Sequence, residues 1–111
     1  MLAISAIHLY SKNYFVLKDY YTGVLALKTT YESAEHDYLE LDCGATKLVI
    51  QKSIRDVQNK IRITFTTEDV KAFRKQLQEN NTEVSPLKMI LGKLAFEMKD
   101  PDGNEIAVIQ W

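Results

Sequence analysis

Ile7, Leu9, Asn13 and Leu17 are matched by Ile63, Phe65, Asp69 and Phe73 at a constant offset of 56, and Leu48-Val49-Ile50 by Ile106-Ala107-Val108 at an offset of 58. A chain of 111 residues that carries one pattern twice is constrained to fold as two copies of one small unit, because each copy presents the same apolar faces for burial. The two-residue difference between the offsets fits unequal loops between equivalent strands.

The pattern within each copy reads strand, helix, strand, strand, strand. In the first, Ile4–Tyr10 alternates, with Ile7 and Leu9 on one face and Ala6, His8 and Tyr10 on the other. Asn13 is placed to cap a helix, whose stripe is Leu17, Tyr20, Tyr21 and Val24. Strands are predicted near Leu27–Tyr31, His36–Leu41 and Thr46–Gln51, with Asp42-Cys43-Gly44 turning between the last two. In the second copy, Ile61–Phe65 is a strand, and Thr66 with Asp69 resembles a capping box. Val70, Phe73 and Leu77 make the helix stripe, and Asn80-Asn81 ends it. Ser85–Gly92 reads as loop, followed by strands Leu94–Met98 and Ile106–Ile109 about the turn Asp100-Pro101-Asp102-Gly103-Asn104. The fold class is therefore α+β, one domain over 1–111, with module one at about 1–54 and module two at about 58–111.

Composition narrows the function classes. Hydrophobic residues make up 46% of the chain, enough for a core, yet no apolar run approaches the roughly 20 residues of a membrane helix. The start Met1–Ala6 lacks the pattern of a signal peptide. A formal net charge of -1 with interspersed signs offers no basic footprint for nucleic acid. Cys43 is the single cysteine, which excludes an internal disulfide and points to a reducing, cytoplasmic setting. Phosphate loops, zinc-helix motifs and nucleophile elbows are absent.

Three segments resemble the vicinal oxygen chelate superfamily of glyoxalases, bleomycin-resistance proteins and extradiol dioxygenases. Tyr20–Leu27 is similar to the family's helix end, with Ala26 where glycine is usual. Phe65–Val70 is similar to the start of its second module, and Phe96–Ile106, with its Asp-Pro-Asp-Gly-Asn turn, to its closing hairpin. The resemblance implies two βαβββ modules, each curling a sheet around a cavity with its helix on the outer face. It also implies a homodimer.

Relatives that do chemistry hold a divalent cation on the first and last strands of each module. Carried over, those positions are Ala6, Val49, Arg62 and Ala107, a set unable to coordinate a cation. The expectation is thus no metal and no other cofactor, with a divalent metal as the alternative. A register shift of two would offer His8, Gln51 and Glu105 instead. Strand parity gives a ligand cavity lined by His8, Tyr10, Tyr38, Glu40, Arg62 and Glu97, with aromatic walls and few polar groups. Glu40 and Glu97 favour a cationic ligand, Arg62 a carboxylate or phosphate. The reading is a metal-free protein that sequesters a small organic ligand or antibiotic. The alternatives are a metal-dependent lyase, isomerase or dioxygenase, and a dimeric accessory protein with a vestigial cavity.

Overall fold

The computed structural model describes residues 1–55 and 61–111. The chain divides into two compact units, Met1–Asn59 and Lys60–Trp111. The expected junction between about 54 and 58 runs into residues 56–60, outside the described residues.

Unit one contains β1 (Ala6–Ser11), α1 (Tyr14–Asp19) with a following π-helical turn (Tyr20–Val24), β2 (Thr29–Ser33), β3 (Tyr38–Cys43) and β4 (Thr46–Lys52). Unit two contains β5 (Arg62–Thr67), α2 (Val70–Glu79), β6 (Lys88–Ile90), β7 (Lys93–Lys99) and β8 (Glu105–Gln110). Each forms a four-stranded sheet, in the orders β1-β4-β3-β2 and β5-β8-β7-β6. The fold is α+β, built from two βαβββ units.

The repeat found in the sequence is a repeat of register. Leu9 pairs with Ile50 as Phe65 pairs with Val108, each across a parallel junction. On one face of the first sheet Leu9, Leu39, Leu41, Leu48 and Ile50 are almost completely buried, together with Leu17 and Tyr21. The second sheet does the same with Phe96, Met98, Ile106 and Val108, alongside Val70 and Leu77, and Phe73 meets Phe96 ring to ring at 6.3 Å. Ile7 shares a face with Leu9 but stays 44% exposed near the start of its strand.

Several local expectations are corrected. The buried stripe of the first helical segment is Tyr14, Leu17, Tyr21 and Leu25, whereas Tyr20 and Val24, expected in it, are only half-buried. The segment also ends in a π turn, in which the Leu25 N–H donates to the Tyr20 carbonyl. Asn13 occupies the N-cap position without a side-chain cap bond. Thr66 lies in β5, so there is no capping box there. Asp69 itself is the cap, accepting from the Ala72 N–H at 3.0 Å. The Gln110 side chain assists it by accepting from the Val70 N–H at 2.9 Å. The stretch read as loop holds β6, a three-residue strand too short and too exposed to show alternation.

The hairpin turns follow their residues. Gly44 has φ +82°, and the Asp42 carboxylate accepts from its N–H. In the second unit Asp100, only 5% exposed, accepts from the N–H groups of Asp102 and Asn104 and from the Asn104 side chain at 2.7–2.9 Å. Gly103 closes that turn at φ +84°.

Candidate functional site

Residues that pair laterally in a sheet point to the same face, so the two ladders define two sets of side chains opposite the helices. In unit one, His8 pairs with Val49, Val49 with Glu40 and Glu40 with Tyr31; alongside, Tyr10 pairs with Gln51 and Gln51 with Tyr38. Four of the expected cavity residues, His8, Tyr10, Tyr38 and Glu40, are thus brought together on one face, with Gln51 among them. His8 and Tyr10 stack with ring centroids 6.2 Å apart, and Tyr31 meets Tyr38 edge-on at 6.0 Å. The Tyr38 hydroxyl donates to Glu40 Oε2 at 3.4 Å. Burial, followed by the Glu40 charge, raises the Tyr38 phenol above its ordinary pKa, so it remains a donor at neutral pH.

Sequence reasoning missed Tyr31. A β-bulge between Thr29 and Tyr31 sets two residues of β2 against one of β3, which turns Tyr31 onto the face of Glu40. Simple alternation has no means of anticipating that turn.

In unit two the corresponding row is Thr64, Ala107 and Glu97, and the next is Arg62, Glu105 and Lys99. Arg62 and Glu97, the other two expected cavity residues, are joined at 2.7 Å, with Glu105 4.0 Å from the other terminal nitrogen of Arg62. Lys88 also donates to Glu97. The Lys88 bond, reinforced by the Lys88 and Arg62 charges, holds the Glu97 carboxyl below the usual carboxylate pKa. Lys88 was invisible in the sequence because β6 was. A recess beside this network is lined by Glu83, Ser85, Glu97, Lys99 and Glu105.

The fit of a divalent metal is poor at the positions carried over from the family. Val49 is 1% exposed and Ala107 0%, each offering only a hydrocarbon side chain. Arg62 brings a fixed positive charge. Register sets Ala6 opposite Lys47, so Ala6 and Val49 stand one row apart, as do Arg62 and Ala107. Of the fallback donors, His8 and Gln51 share the face in unit one, whereas Glu105 is in unit two, 61% exposed and beside Arg62. Among the described residues no group of three or more His, Cys, Asp or Glu side chains is arranged to hold an ion.

Elsewhere, burial raises the pKa of the Cys43 thiol, with the Asp42 charge adding to the effect, which makes it a poor nucleophile at neutral pH. No helix among the described residues is long and apolar enough to cross a membrane.

Among curated proteins none is significantly similar in sequence. Solved structures share the fold. The antibiotic binding protein TnmS3 from Streptomyces sp. CB03234 is 22% identical with a TM-score of 0.84, over 99% of this chain and 96% of its own. Lactoylglutathione lyase from Agrobacterium tumefaciens is 18% identical with a TM-score of 0.79, over 97% and 92%. A glyoxalase family protein from Enterococcus faecalis is 22% identical with a TM-score of 0.78, over 97% of both chains. The profile of the Glyoxalase/Bleomycin resistance protein/Dioxygenase superfamily matches residues 3–108, so the chain, with its two βαβββ units and its closing Asp100–Asn104 turn, belongs to that superfamily.

Proposed function

We propose that this chain is a metal-free binding member of the superfamily that sequesters a small organic molecule, an antibiotic being one candidate. What supports the reading is that the positions the resemblance assigns to metal ligands hold Ala6, Val49, Arg62 and Ala107, beside a face that keeps aromatic and polar side chains together. Rings with a few polar groups recognise organic ligands by contact area and orientation, with no need for a Lewis acid. A homodimer in the cytoplasm is part of this proposal, the first because a half-cavity lined by rings such as Tyr10 and Tyr31 is a poor surface to leave in water, and a partner would close it around the ligand.

The second reading, a metal-dependent lyase, isomerase or dioxygenase, draws support from His8, Gln51 and Glu40 sharing one face of unit one. Two measurements on the purified protein separate the readings. Elemental analysis is expected to find no stoichiometric Ni, Zn, Fe or Mn, and adding these ions should leave the melting temperature unchanged. Screening antibiotics and metabolites by thermal shift should find a stabilising ligand, since occupancy at a hundred times Kd adds about 2.7 kcal/mol. Saturable binding of one ion per chain, lost in His8→Ala, would put the enzyme first.

A further inference from the structure

Glu40 and Glu97 occupy equivalent places, each pairing across its sheet with the central residue of the last strand, Val49 or Ala107. Their surroundings differ in a way that bears on what can bind. Glu97 is neutralised from within by Lys88 and Arg62. Glu40 accepts from the Tyr38 hydroxyl, and among the described residues no ammonium or guanidinium is paired with it.

Rings gather on one side of Glu40, and the row on its other side, Asp42 and Lys47, is paired within itself at 4.0 Å. Tyr31 lies beside Glu40 in the same row and Tyr38 one residue pair along the same strand, with His8 and Tyr10 across β4. Tyr10 is 40% exposed and Tyr31 55%, so ring surface is presented to solvent. Ring faces carry negative electrostatic potential and attract cations whose hydration is weak. A carboxylate set among such rings adds a net charge of the same sign. Anions are repelled by both, and a small hydrated metal ion gains little from the rings.

We infer that the face of unit one formed by His8, Tyr10, Tyr31, Tyr38 and Glu40 binds an organic cation, an alkylated or aryl ammonium group that rests on the tyrosine rings with Glu40 as its counter-ion. This rests on the small-molecule reading above and names the ligand's charge. It also assigns the work to unit one, because the equivalent carboxylate of unit two is already paired. The bulge in β2 then has a purpose, since it brings Tyr31 to Glu40.

Two probes of one shape and different charge test this: para-hydroxyphenyltrimethylammonium and para-tert-butylphenol, titrated by NMR while the tyrosine and His8 ring resonances are followed. The cation is expected to bind saturably at these rings, at least about fivefold tighter than the neutral phenol. Glu40→Gln should remove most of that preference and Glu40→Asp should keep part of it. Tyr31→Leu should weaken the cation more than the phenol. Glu68→Gln, which removes a carboxylate from unit two, should change nothing. Melting curves of each variant confirm that it is folded. Equal binding of the two probes, or a preference that survives Glu40→Gln, overturns the inference while leaving ligand binding intact. Saturable binding of neither probe overturns it as well, and the thermal-shift screen then judges the wider reading separately.

Discussion

Glu40 and Glu97 stand at the same place in two copies of one sheet, yet the first meets a phenol and the second an ammonium and a guanidinium. The neighbouring rows diverge as far. Ala6, Lys47 and Asp42 line up in unit one where Arg62, Glu105 and Lys99 line up in unit two, so the charges on the third and fourth strands are exchanged. The opposite faces hardly differ, since both bury aliphatic and aromatic residues against a helix. Burial leaves a core position few alternatives, whereas the other face needs only to satisfy its own charges. The repeat therefore survives in the core and is lost on the face opposite the core.

The largest effects test the shared part. Leu39 and Phe96 are equivalent, both fully buried, and both pair with the last strand of their unit. Phe96→Ala should cost about 4 kcal/mol and Leu39→Ala about 3 kcal/mol, read from urea denaturation. A cost below 1 kcal/mol at either position would mean that the two cores are not built alike.

Next come the hairpins, where the units differ. Asp100 is buried and accepts three bonds within its turn, whereas Asp42 is exposed and supports Gly44 with one. Asp100→Ala is expected to lose about 2 kcal/mol, since it strands buried N–H groups, and Asp42→Ala less than about 1 kcal/mol. Equal losses would break the contrast.

How far the sequence could be read follows the same division. All strands but β6, the order of elements and the core were legible because alternation and helical spacing report burial directly, as at Leu9 and Val70. The Asp100–Asn104 turn was legible because proline and glycine have few other uses at such spacing. Tyr31 was not, since a bulge changes parity without changing composition. Lys88 was not, since a three-residue strand has no period. The π turn after Asp19 escaped for a related reason: Leu17, Tyr20, Tyr21 and Val24 fit an ordinary helix, and only the backbone bond from Leu25 to Tyr20 shows the change. The site was half legible, because its face could be named from parity but the pairing of Arg62 with Glu97 could not.

Smaller effects come from backbone conformation at two turns. Ala26 sits at φ +57° after the π turn, where the Leu27 N–H reaches back to the Tyr21 carbonyl. A Cβ is costly there, so Ala26→Gly should stabilise the protein by about 0.5–1 kcal/mol. Gly103→Ala should do the reverse by about 1 kcal/mol. The added methyl would meet no atom within 4 Å, so that cost isolates the φ of +84°. Unchanged melting temperatures in both variants would remove the strain argument.

The smallest effect probes the ion network of unit two through pH. Glu97 has its pKa lowered on folding, first by the Lys88 bond and then by the Lys88 and Arg62 charges. A lowered carboxylate pKa means that the unfolded chain takes up its proton at higher pH than the folded one. The resulting stability is fully present above the unfolded value, near 4.3, and is lost as pH falls through the folded value. Native protein should therefore melt above Glu97→Gln at pH 7, and the gap should shrink as pH falls below the unfolded value. With the Glu97 side chain 32% exposed, solvent screens the pairs, so the gap should be modest and shrink in salt. Lys88→Met removes the leading cause and should narrow the pH dependence while leaving the Arg62 contribution. A gap that stays constant as the solution is acidified would show that Glu97→Gln acts through something other than charge, and that the paired state of this carboxylate is not what separates the two units.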